Sequence, residues 1–114
     1  MEQEASSRIL VVDDDRIIVE ILSQSLSLAG YEVSTAADGE EGLHLTRELK
    51  PDLVLLDVMM PKLDGYAVCQ RLKEDPETQL IPIIILTALT DRDDKLKALQ
   101  VGADEFIRKP PDRQ

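Results

Sequence analysis

Aromatic side chains are scarce: two Tyr, one Phe and no Trp in 114 residues, 3 % of the chain. Any interior must therefore be aliphatic, and 43 % apolar residues suffice to build one domain of this length, 1–114 with its core over 8–110. Cys69 is the single cysteine, which excludes an internal disulfide and fits a reducing compartment. No apolar run approaches the roughly 20 residues needed to cross a bilayer. The first residues, Met1-Glu2-Gln3-Glu4, are too acidic and polar for a signal peptide, so a cytoplasmic location is expected. Basic residues are outnumbered, 13 Lys and Arg against 23 Asp and Glu, for a formal charge of −10. Such a surface repels phosphates, so neither direct nucleic-acid binding nor a membrane is expected; a cation or a basic partner surface is compatible. A glycine-rich phosphate loop is also missing, which argues against nucleotide binding.

What the chain does have is a series of apolar runs. Arg8 to Asp13, Leu53 to Asp57 and Ile83 to Thr87 are continuous rather than alternating, as expected of parallel strands covered on both faces. Tyr31 to Ala36 and Glu105 to Arg108 read as two further strands. Between them lie helical patterns. The first carries Ile18, Ile21, Leu22, Leu26 and Ala29, with Gly30 as its stop. The second, Asp38 to Leu49, opens with Asp38 three residues before Glu41 and is followed by Pro51. Asp64 to Glu74 sets Val68, Cys69 and Leu72 on one face, and Thr90 to Gln100 opens on Thr90-x-x-Asp93 and ends at Gly102. Alternation of strand and helix implies right-handed crossovers and a doubly wound α/β fold. One more helix is expected to cover the last sheet face. The chain stops six residues after Arg108 without it, so a fragment, or cover taken from elsewhere, is expected.

Two apolar runs end in acid: Asp13-Asp14-Asp15 after the first and Asp57 at the close of Leu53-Val54-Leu55-Leu56-Asp57. In an open parallel sheet, ligands bind outside the carboxyl ends of the strands. Asp13, Asp14, Asp57, Thr87 and Lys109 stand at those ends. Three gathered carboxylates repel unless a cation lies among them, and oxygen-only ligands favour a hard ion such as Mg²⁺. Carboxylate, divalent metal, hydroxyl and lysine are together the parts needed to move a phosphoryl group, one carboxylate attacking while the cations neutralise charge.

These residues resemble the receiver domain of two-component response regulators over about Arg8 to Lys109. The resemblance rests on the acids after the first strand, Asp57-x-x-Met60-Pro61-x-x-Asp64-Gly65, Thr87-Ala88, Gly102-Ala103 and Lys109-Pro110, each at a strand end or turn. It implies a flavodoxin-like five-stranded parallel sheet of order 2-1-3-4-5. It also implies that Asp57 accepts phosphate from a phosphohistidine of a sensor histidine kinase or a histidine phosphotransfer protein. Mg²⁺, for which Mn²⁺ can substitute, would be held by Asp14, Asp57 and the Met59 carbonyl, with Asp13 acting through water. Lys109, aimed by a cis peptide at Lys109-Pro110, would contact the phosphoryl group. Thr87, with Ala88 beside it, would swing towards that group, and Phe106 would follow inward as the switch. The face of the fourth helix and fifth strand would then meet a partner or a second copy. The family's two positions flanking the phosphoryl group are occupied here by Met59 and Leu89, neither able to orient a water, so slow self-dephosphorylation is expected.

Competing assignments are weaker. A phosphatase or phosphotransferase with an aspartyl nucleophile usually carries a second aspartate two residues on, and Met59 stands there. A non-phosphorylated docking or dimerisation module would have lost an acid, the threonine or the lysine, and none is lost. The expectation is a switch that catalyses its own phosphorylation and dephosphorylation rather than an enzyme in the ordinary sense. Asp15 and Asp64 are read as helix caps, His44 as an exposed helical residue, Cys69 as an apolar filler, and Met59 and Met60 as packing residues.

Overall fold

A computed structural model describes residues 7–60, 62–87 and 92–108, with the backbone alone at 92–95 and 108. Five strands and four helices alternate: β1 Arg8–Val12, α1 Arg16–Leu28, β2 Glu32–Ala36, α2 Gly39–Leu49, β3 Leu53–Asp57, α3 Gly65–Glu74, β4 Ile83–Thr87, α4 Arg92–Gln100 and β5 Glu105–Arg108. All strand pairs are parallel, in the order β2-β1-β3-β4-β5. The doubly wound topology expected from the sequence is the one found.

The continuous apolar runs follow from burial on both sheet faces. Leu10, Val11, Val12, Val54, Leu56, Ile83 and Ile85 are wholly buried. Each buried Leu or Ile contributes about 1.5–3 kcal/mol, enough to make the central strands a rigid support. On one face the core is closed by Leu43 of α2, Val68, Cys69 and Leu72 of α3 and Ala98 of α4. On the other, Ile9, Val11, Leu55 and Leu86 pack with Val19, Leu22 and Leu26 of α1.

Asp15, Asp38 and Asp64 cap α1, α2 and α3, accepting hydrogen bonds from Ile17 N (3.0 Å), Glu41 N (2.8 Å) and Ala67 N (2.9 Å). Glu41 reaches back to the Ala37 N–H at 2.8 Å, a capping box displaced by one residue. Gly30, at φ +99°, makes the left-handed turn after α1. The Thr90 cap expected for α4 lies outside the described residues.

The inward stripe of α1 differs from the expected one. Val19, Leu22 and Leu26 face the sheet, whereas Ile21 is 56 % exposed and Ala29 is also exposed. A helix carrying apolar residues on two sides leaves periodicity unable to choose between them. Among the described helices, none is long and apolar enough to cross a membrane.

Candidate metal centre at the carboxyl edge of the sheet

Because every strand runs the same way, their last residues share one edge. Val12 pairs with Leu56, which sets the next residues, Asp13 and Asp57, level on neighbouring strands. Asp57 pairs with Leu86, so Thr87 stands one residue beyond. Asp13 is fixed by its own N–H on Ala36 O (3.1 Å), and one carboxylate oxygen accepts the Asp15 N–H (3.0 Å). Asp13, Asp57 and Thr87 are buried, while Asp14 lies open at the rim.

Asp13, Asp14 and Asp57 each bring one carboxylate oxygen within 4.8 Å of the others. Two of these acids are buried, an expensive placement for charge that a cation offsets. The donors are oxygen only and include one solvent-facing carboxylate, which fits a hard divalent ion that keeps part of its water.

The chain passes close behind Asp57. Gly65 N–H donates to Val58 O (2.9 Å), and a Cβ on Gly65 would run into the Asp57 carbonyl oxygen. Glycine is required there by space, and α3 therefore begins directly against the acid's backbone. The Asp-Gly pair in the sequence signals a helix start but does not disclose this contact.

Both methionines after Asp57 were expected to pack, and only Met60 does. Val58 is 3 % and Met60 9 % exposed, but Met59 is 67 % exposed. These residues lie past the end of β3, and burial alternates along them, so the middle side chain points away from the core. Met59 thus stands two residues past Asp57 on the open side. Phe106 is half-buried against the larger core cluster and lines a surface hollow of about 230 Å³ with Ala98, Leu99, Ala103, Asp104 and Glu105. His44 is exposed and Cys69 fully buried, as expected. Burial pushes the Cys69 thiol up to about 11, against a smaller downward pull from Lys73, leaving it an unreactive filler. Lys109, Ala88, Leu89, Pro61 and the Lys109-Pro110 peptide lie outside the described residues.

Two contacts have no local signal in the sequence. Lys97 of α4 lies over the Tyr66 ring, 5.0 Å from its centre. Lys73 of α3 meets Asp104, 31 residues away, at 2.8 Å. Both pairs join separate elements, and helical spacing records only neighbours on one element.

Comparison with known proteins places this geometry. The family model described as "Response regulator receiver domain" matches residues 9–114. A probable transcriptional regulator, ycf27, of Cyanophora paradoxa is 55 % identical over 103 residues, covering 90 % of this chain and 42 % of that protein. The crystal structure of a putative response regulator from Chloroflexus aurantiacus superposes with a TM-score of 0.89 at 39 % identity, covering 95 % of this chain and 88 % of that one. The phosphorylated cyanobacterial phytochrome response regulator RcpA superposes with a TM-score of 0.85 at 26 % identity, covering 95 % and 84 %. The chain spans 42–44 % of the length of the first curated relatives it matches. With its strand order, its acids at one edge and these likenesses, the chain belongs to the response regulator receiver domain family.

Proposed function

We propose that this receiver domain is a phosphorylation-driven switch with Asp57 as the phosphoacceptor and Mg²⁺ as its cofactor. The observation that carries the reading is the convergence of Asp13, Asp14 and Asp57 within 4.8 Å at the carboxyl edge of the sheet. In the reaction, an Asp57 carboxylate oxygen forms a bond to the phosphorus of a phosphohistidine. The P–N bond breaks, and its electron pair stays with the imidazole nitrogen of the donor. The donor is a sensor histidine kinase or a histidine phosphotransfer protein, met in the cytoplasm.

Asp14, Asp57 and the Met59 carbonyl would hold the metal, with Asp13 acting through water. Bound there, Mg²⁺ supplies positive charge against the phosphoryl oxygens. Lys109 takes a second share of that charge. Thr87 ends β4 one residue past the level of Asp57, where its hydroxyl can donate to a new phosphoryl oxygen, and Ala88, next in sequence, follows it. Phe106, on the strand paired with β4, follows inward. The consequence is read out on the α4 and β5 face, where Leu99 is 64 % and Ile107 46 % exposed, by an output region or a second copy of the chain.

The test is exposure to acetyl phosphate, or to beryllofluoride, with Mg²⁺. Mass or fluorescence should report a response in the wild type, none in Asp57→Ala, and none once the metal is chelated. A full response in Asp57→Ala would sink the assignment.

A further inference from the structure

Lys73 is the best-satisfied lysine among the described residues, and nothing in the phosphoryl chemistry uses it. Its ammonium donates to Gln79 O (3.2 Å), Ile81 O (3.0 Å) and Asp104 Oδ2 (2.8 Å), which accounts for all three of its protons. Its side chain is only 17 % exposed, although Asp104, at 49 %, leaves their ion pair open to solvent on one side. The same Asp104 oxygen accepts the Ile83 N–H (2.8 Å), while Asp104 N–H donates to Ile83 O (2.9 Å). Asp104 thus ties α3 to the beginnings of both β4 and β5. One turn earlier on α3, Cys69 Sγ reaches Val101 O at 3.5 Å. A Cβ on Gly102, which sits at φ +90°, would come within 3.2 Å of the Lys73 stem. One face of α3 therefore grips the whole connection from α4 to β5.

We infer that Lys73 is a positioning residue for the switch: with Asp104 it forms a fulcrum that clamps the first residues of β5 in both states. Movement is thereby confined to the far end of that strand, Phe106 to Arg108, and to α4. The argument is mechanical. β4 and α3 are core elements, and β5 is an edge strand paired on one side only. A displacement delivered at Thr87 can slide a free edge strand bodily or, if its beginning is pinned, tilt its end. Pinning converts the same input into a larger change near Phe106. The inference rests on the reading of Asp57 as phosphoacceptor.

Hydrogen exchange of the whole chain, with and without beryllofluoride and Mg²⁺, tests it. In Lys73→Met the stem still packs on Gly102 but the three donors are gone. Without beryllofluoride, amides at 101–105 should exchange about tenfold faster, the loss expected for charge-assisted hydrogen bonds at a local opening. With it, the change in exchange across 96–108 should fall to about half that of the wild type or less, while half-saturation stays within about twofold because Asp57 is untouched. Asp104→Asn keeps an acceptor for the Ile83 N–H and weakens the lysine contact alone. It should show the same effect in smaller degree, and it reads the proposal even if Lys73→Met fails to fold. The double variant should do no more than Lys73→Met.

A wild-type-sized change across 96–108 in the single variants overturns the fulcrum and leaves the phosphoacceptor reading intact. So does a loss that tracks lost beryllofluoride affinity, the signature of a purely structural role. A wild type that gives no response at all overturns the phosphoacceptor reading and this inference with it.

Discussion

Met59 is the residue where local geometry and chemistry meet most directly. It follows Asp57 by two, its side chain is 67 % exposed, and it offers no hydrogen-bond donor or acceptor of useful strength to a water approaching the phosphoryl group. Leu89, two beyond Thr87, is equally mute. An acyl phosphate on Asp57 should therefore decay slowly. Met59→Asn and Leu89→Glu, each adding a group able to orient water, should speed decay by up to about tenfold, a modest share of what positioned acid–base groups achieve. Loss of label from the phosphorylated chain measures this, and unchanged or slower decay in both variants would count against it. At this scale the sequence was informative wherever a residue's neighbours in the chain decide its place. The caps at Asp15, Asp38 and Asp64 were legible because they bond to N–H groups two or three residues on. Met59 differs from expectation because its exposure depends on which side of the segment after β3 faces the core.

At the scale of elements, β1, β3 and β4 declared themselves through runs with no polar interruption, and the acids closing β1 and β3 gave the shared edge and hence the site. Contacts between elements were not legible: nothing in the helical pattern of α3 marks Lys73 as the partner of Asp104. That pair has a consequence for acid stability. Burial pushes the Asp104 carboxyl upward, but the hydrogen bond from Lys73, the Ile83 N–H and the lysine charge together outweigh it, and the pKa falls below its usual 3.8. A carboxyl depressed by folding adds stability above its unfolded pKa and loses it as pH drops through the folded one. Asp104→Asn should therefore melt below the wild type at neutral pH, and the gap should close as pH falls beneath about 4. Thermal melts of both proteins across pH 2–7 check this. A gap that is constant, or that widens in acid, contradicts the assignment. Because the Asp104 side chain is about half exposed, screening keeps the effect small.

For the molecule as a whole, charge is the dominant fact. A domain carrying −10 gathers three of its carboxylates, with an oxygen of each within 4.8 Å of the others, at one edge, two of the acids buried, so metal-free folding works against repulsion both locally and globally. The rigid aliphatic sheet bears that cost, and on the proposed function ion binding to the folded form would relieve it. Stability should therefore be linked to Mg²⁺ in a saturable way: at ten times the dissociation constant the gain is about 1.4 kcal/mol, several degrees in Tm for a domain of this size. Asp14→Asn isolates the origin of the effect, since Asp14 lies open at the rim and holds no cap. Removing its charge should raise the metal-free Tm by about 1–3 °C and abolish most of the rise with Mg²⁺. Were the acids merely a solvated cluster, Mg²⁺ would act only through general screening. Equal ionic strength from NaCl would then raise both proteins alike, and the two melting series would run parallel.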